Sequence, residues 1–161
     1  IELWSLNFGE SATCSDHREL IEGMLQNIDL SFEILACENQ QVIHNDFNPR
    51  NICFNKNDSK ICVYDWELIK IGNRWSDVLE FLSFLDQEIV SIEQIEKLIV
   101  LYSKNTELTI NWIELKSVME EFIIVRLGLY YMAHFFKDYG FLDNVLKNAT
   151  EIYVMINDNI K

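Results

Sequence analysis

A single proline and five glycines among 161 residues leave little room for disordered linkers. The chain also lacks a long uninterrupted apolar run. Its most apolar stretch, Phe122 to Phe136, is broken by Arg126 and His134 and is shorter than a bilayer requires. No basic segment followed by an apolar one opens the chain, so no signal peptide is expected and the cytoplasm is the default location. The four cysteines (Cys14, Cys37, Cys53 and Cys62) show no C-x-x-C spacing and no nearby histidine pair, which argues against a zinc site. Reduced, partly buried thiols are expected, with Cys53 and Cys62 facing each other if Asn57 and Asp58 form a turn. Positive charge is scarce too. Thirteen Lys and Arg stand against twenty-six Asp and Glu, and the net charge of −13 repels a phosphate backbone. No nucleic-acid partner and no membrane partner are expected.

What is present is a core. Apolar residues make up 49% of the sequence and charged ones 24%, the balance of one globular domain spanning 1–161. Ser15 or Asp16 caps a helix carrying Leu20, Ile21, Met24, Leu25 and Ile28 at helical spacing, continued through Leu30 to Leu35. Three short β-like segments follow, Gln41 to His44, Asn51 to Phe54 and Ile61 to Tyr64. The polar cluster Asn55 to Ser59 reads as the turn of a hairpin between the last two. After Gly72 the pattern is helical to the end. Ser76 or Asp77 opens one helix and Ser91 caps another. A long helix runs from Asn111 to about Asp138, Gly140 ends it, and Leu142 to Ile156 forms the last. The expected class is α+β, mostly α: one small hairpin among helices.

The chemistry is concentrated in Val42-Ile43-His44-Asn45-Asp46-Phe47-Asn48-Pro49-Arg50-Asn51-Ile52 and Val63-Tyr64-Asp65-Trp66-Glu67. The order is H-x-D-x-x-x-x-N, then a hairpin, then an aspartate, as in the kinase catalytic loop and its following D-F-G. Phosphoryl transfer needs a carboxylate to orient the acceptor hydroxyl and take its proton, a role for Asp46. It also needs Mg²⁺ against the phosphates, held by hard oxygen donors. Asn51 closes a short loop and Asp65 returns beside it through the hairpin, so both suit that metal and the nucleotide it carries. His44 pins the loop by hydrogen bonds.

These segments resemble the H-G-D-x-x-x-x-N loop and the I-D-W-E segment of the aminoglycoside phosphotransferase and choline kinase superfamily. Pro49, Ile52 and Asp77 fit the same pattern. The resemblance covers Gln41 to about Leu85. It implies the C-terminal lobe of a protein-kinase-like fold, with Asp46 as catalytic base assisted by His44. Asn51 and Asp65 are implied as cofactor and Mg²⁺ ligands, with Glu67 as a helper. The implied reaction is transfer from ATP (or GTP) to a hydroxyl of a small molecule, including cationic aminoglycoside- or choline-like compounds. Asn45 departs from the family's usual glycine, and Arg50 from a small residue. No lysine precedes Lys56, and only Gly9 and Gly23 precede the loop. The nucleotide-clamping N-terminal lobe is therefore expected outside this chain, as a missing partner from a longer protein, and the isolated piece is expected to be inactive.

Two rivals remain at this stage. One is a kinase-like scaffold that binds without transferring phosphate. The other is a protein kinase, disfavoured by Asn45 and by Asp65-Trp66-Glu67 in place of D-F-G. An aromatic cage from Trp66, Trp112, Tyr130 and Tyr131 is considered against ordinary helix packing. Glu120, Glu121 and Asp138 are considered as amine-binding groups against a solvated face. His17 and His134 are assigned no role.

Overall fold

A computed structural model describes residues 18–37, 39–57, 59–133 and 140–160. The expected cap at Ser15 or Asp16, and His17, His134 and Asp138, lie outside these, as does the side chain of Tyr131. In chain order the elements are α1 (Arg18–Cys37), β1 (Gln40–Ile43), a 3-10 turn (Pro49–Asn51), β2 (Ile52–Asn55) and β3 (Lys60–Val63). A second 3-10 turn (Trp66–Leu68) leads to β4 (Lys70–Asn73), followed by α2 (Ser76–Ser83), α3 (Ile92–Thr106) and α4 (Trp112–Glu121). A π-helical turn (Phe122–Leu127) joins α4 to α5 (Gly128–Ala133), and α6 (Gly140–Asp158) follows. The chain is mostly helical with small sheets, compatible with α+β.

The sheets correct the expectation of one hairpin. β2 and β3 do pair as a hairpin, in the register Cys53↔Cys62. A second two-stranded sheet joins β1 to β4, which sequence reading left as a connection. Its pairs, such as Val42↔Ile71, lie about thirty residues apart, so no local turn signal announces them. Gly72 permits the close approach: a Cβ there would sit 2.5 Å from Cδ1 of buried Ile43. Glu114, buried on α4, accepts from the Asn39 and Asn73 side chains at 2.7–2.8 Å and ties this sheet to the helices.

The helical body buries one apolar cluster built from α1, α2, α3, α4, the π turn and α6, with Trp75 at its sheet-side end. Ile95 and Ile99 of α3, Leu115 and Met119 of α4, and Leu146, Ala149 and Ile152 of α6 are fully buried at helical spacing. Trp112 packs against this cluster, so its role is ordinary packing. Gly140 is the first residue of α6 with an ordinary negative φ, so the expected left-handed cap is not there. Glu120 is neither solvated nor open to a substrate. It is buried and accepts from the hydroxyls of Ser31 and Tyr153, with Lys116 at 3.4 Å.

Ser91 caps α3 as expected, and reciprocally. Its hydroxyl accepts from the Gln94 N–H, while the Gln94 side chain accepts from the Ser91 N–H. Ser91→Ala is therefore expected to destabilise the protein by about 1 kcal/mol, within the range for such caps. An unchanged urea midpoint would show that the box is idle.

Candidate functional site

The loop between β1 and β2 is shaped by backbone bonds to α2. Asp77, in the first turn of α2, accepts from the backbone N–H of His44 at 2.8 Å and of Asn45 at 2.9 Å. Asn45 takes φ 64°, a left-handed conformation that glycine adopts freely and asparagine tolerates better than most residues. Asn45 therefore suits this bend, although it is not a glycine. His44 is buried, and its Nε2 lies 2.9 Å from the Tyr64 carbonyl. A carbonyl only accepts, so Nε2 is the donor of this bond, while Nδ1 has no hydrogen-bond partner among the described residues. The ring packs 4.6 Å from Trp66. His44 thus ties the loop to the strand that delivers Asp65.

Asp46 lies two residues further on. Its Oδ1 accepts from Asn48 Nδ2 at 2.9 Å and from the Tyr130 hydroxyl at 3.0 Å, and its Oδ2 accepts from Asn51 Nδ2 at 2.8 Å. A carboxylate has about four acceptor positions, so three bonds fix its plane and leave one, on Oδ2, for an incoming hydroxyl. Burial is the main reason that Tyr130's hydroxyl has its pKa raised far above the ordinary value, with Glu80 and Asp46 adding to it against Arg126. Tyr130 therefore stays a donor at any working pH.

Asn51 and Asp46 are in direct contact. Asp65 is brought alongside rather than into contact. The Tyr64 N–H donates to the Asn51 carbonyl at 3.1 Å, which places the residue before Asp65 opposite Asn51. Asp65 itself is exposed, takes φ 67°, and its carboxylate has no recorded partner among the described residues. Glu67 is exposed in the Trp66–Leu68 turn. No group of three or more His, Cys, Asp or Glu side chains is poised around a cation among the described residues. The donor set still fits Mg²⁺ carried in on phosphates, which asks for one or two protein oxygens and takes the rest from phosphate and water. Asn51 spends its amide nitrogen on Asp46, and no described residue donates to its oxygen.

Sequence reading missed the pair that holds this loop from behind. Glu80 on α2 and Arg126 in the π turn form a buried bidentate ion pair at 2.7 and 2.8 Å. Glu80 also accepts the Phe47 N–H at 3.1 Å, and Arg126 donates to the Asn45 carbonyl. Burial raises the Glu80 carboxyl above its ordinary range, opposed by Arg126 and by the Phe47 N–H. The signal was in the sequence: an arginine amid Phe122-Ile123-Ile124-Val125 and Leu127 needs a buried partner.

Asp46 opens onto a cavity of 280 Å³ lined by Asn48, Arg50, Asn51, Phe84, Tyr130, Phe141 and Leu142. The Arg50 guanidinium lies 4.2 Å from the centroid of the Phe141 ring. A larger cavity of 490 Å³ shares Arg50, Phe84 and Phe141 and adds Asp86, Glu88 and Lys147. Ordinary packing, favoured over an aromatic cage, holds for two of the four aromatics: Trp66 sits beside His44 and Trp112 packs against the helical core, and neither lines these cavities. Among the described side chains of that set, Tyr130 is at the site, in company with Phe84 and Phe141.

The sequence model of a family described as the phosphotransferase enzyme family matches residues 13–109, which is more than half of the chain and includes the whole loop, the hairpin and α2. No curated protein and no solved structure matches the chain.

Proposed function

We propose that this chain, which belongs to the phosphotransferase enzyme family, is the catalytic lobe of a kinase that moves the γ-phosphate of ATP or GTP onto a hydroxyl of a small molecule. The observation that carries the reading is Asp46, held rigid by three donors at the mouth of a cavity, with one lone pair open. In this reading Asp46 orients the acceptor hydroxyl and takes its proton, while His44 acts as a brace. Asn51 and Asp65 would hold Mg²⁺, with Glu67 nearby. The ion would neutralise phosphate charge as the group moves. The adjoining cavity sets Asp86 and Glu88 against Arg50 and Lys147, a balanced lining that suits an acceptor carrying polar groups of either sign.

A second lobe completes the proposal. Val42↔Ile71 and Phe54↔Ile61 are cross-strand apolar pairs with all four side chains more than half exposed. Such pairs on small sheets suit an apolar partner surface. We assign that partner to a nucleotide-clamping N-terminal lobe of the same protein, working in the cytoplasm.

Titrating ATP against the full-length protein, with and without Mg²⁺, tests the reading. Binding that requires Mg²⁺ and falls about 10- to 100-fold in Asp65→Ala is expected, the scale for a lost metal-supporting group. Metal-independent binding, or none, would transfer the protein to the scaffold class.

A further inference from the structure

The hairpin that carries the Mg²⁺ candidates at its two ends also carries two thiols facing each other. Cys53 on β2 is directly opposite Cys62 on β3, and both are exposed and free. For these two the expectation of partial burial is corrected, while Cys14 and the side chain of Cys37 lie outside the described residues. The bond from the Tyr64 N–H to the Asn51 carbonyl makes Asn51 and Tyr64 a hydrogen-bonded pair of the ladder. Pairs alternate, so Cys53 and Cys62, two steps along, form another. The Cα atoms of such a pair stand about 5.5 Å apart, inside the range of about 4.4–6.8 Å that a disulfide spans. Their Cβ atoms, about 5–5.5 Å apart, must close by about 1 Å. A two-stranded sheet whose strands are exposed almost throughout can yield by that much. The bond so made is both pinched and exposed, which are the properties of a readily reduced disulfide rather than a structural one.

We propose that Cys53 and Cys62 are a reversible redox site whose oxidation weakens the Asn51–Asp65 site. The oxidant belongs to the class of small disulfides, such as oxidised glutathione. One cysteine thiolate attacks it, having given its proton to solvent, and forms a mixed disulfide. The leaving glutathione thiolate takes up a proton. The second cysteine then displaces the remaining glutathione in the same way. In sum two thiols lose two electrons and two protons, and one glutathione disulfide becomes two glutathiones. Cys53 is two residues from Asn51 and Cys62 three from Asp65, so pinching the strands shifts both ends of the hairpin. The effect on nucleotide rests on the phosphotransferase reading, whereas the chemistry of the thiols does not.

The test uses full-length protein carrying Cys14→Ser and Cys37→Ser, with this pair followed by peptide mapping. After incubation with oxidised glutathione, intact mass and peptide mapping are expected to show both thiols lost together into one Cys53–Cys62 crosslink, reversed by dithiothreitol. Adding Cys53→Ser or Cys62→Ser should halt the reaction at the glutathione adduct. Independent adducts on both cysteines, with no crosslink, would overturn the redox site. In the second arm, the crosslinked form is expected to bind Mg²⁺-ATP about 10-fold more weakly than the reduced form, the scale for disturbing groups around a metal. A crosslink that leaves affinity unchanged would overturn the control of the site. Reduced protein that binds no nucleotide while the crosslink still forms would sink the phosphotransferase reading and leave the redox pair standing.

Discussion

Asp46→Asn in the full-length protein is expected to lower turnover by about 10²–10⁴-fold, the contribution of a positioned general base. Nucleotide affinity should change little, because the substitution removes no proposed metal oxygen. The structure adds a reason why an amide is a poor substitute even as an orienting group. All three neighbours of Asp46 donate to it: the Asn48 amide, the Asn51 amide and the Tyr130 hydroxyl. An asparagine must turn its own NH₂ toward at least one of them, setting donor against donor. Tyr130 can rotate its hydroxyl away, but the two amides are fixed by further bonds to the Asp46 carbonyl, at 3.3 Å from Asn48 and 2.9 Å from Asn51. A stability loss of about 1–3 kcal/mol is therefore expected alongside the loss of turnover. Near-normal turnover in this variant would remove Asp46 from the mechanism.

What could be read from the sequence was local. The loop His44 to Asn51, the hairpin with Cys53 opposite Cys62, and the cap at Ser91 follow from residues a few positions apart, and the structure has them there. Asp77 was legible by resemblance, and its two bonds to the loop backbone give that resemblance a physical cause. Three partnerships could not be read because the partner is remote, although Arg126 itself signalled that it needs one. β4 pairs with a strand about thirty residues away, Tyr130 reaches Asp46 across 84 positions, and Arg126 reaches Glu80 across 46. A fourth was a matter of period. The stretch after Asn111 reads as one long α-helix, but its middle widens into a π turn from Phe122 to Leu127, and Arg126 projects from that turn. Turns of this kind often occur at functional sites, where one inserted residue re-aims a side chain.

That arginine makes the largest stability prediction. Arg126→Met is expected to destabilise the protein by about 3–5 kcal/mol, because it leaves the Glu80 carboxylate buried without its counter-charge. Against a typical total of about 5–15 kcal/mol, that removes a large share of the folding free energy and should be plain in a urea titration. The double variant Glu80→Leu with Arg126→Met separates two roles of the pair. Replacing a buried ion pair by apolar side chains of similar size is often close to neutral, so most of the lost stability should return. The loop should not recover. Its Phe47 N–H and Asn45 carbonyl would still lack the partners that Glu80 and Arg126 supplied, on either side of Asp46. A double variant with a near-normal denaturation midpoint, unchanged affinity for Mg²⁺-ATP and reduced turnover is therefore the expected result. It would mark Glu80 and Arg126 as positioning residues rather than mere supports of the core. Arg126→Lys refines the same point, since a single ammonium cannot span both carboxylate oxygens and the Asn45 carbonyl as the guanidinium fork does. It should keep the charge balance and much of the stability, yet lose turnover. If turnover instead tracks stability across all three variants, the pair holds only the fold, and the aim of Asp46 comes from Asp77 behind the loop and from its own donors Asn48, Asn51 and Tyr130.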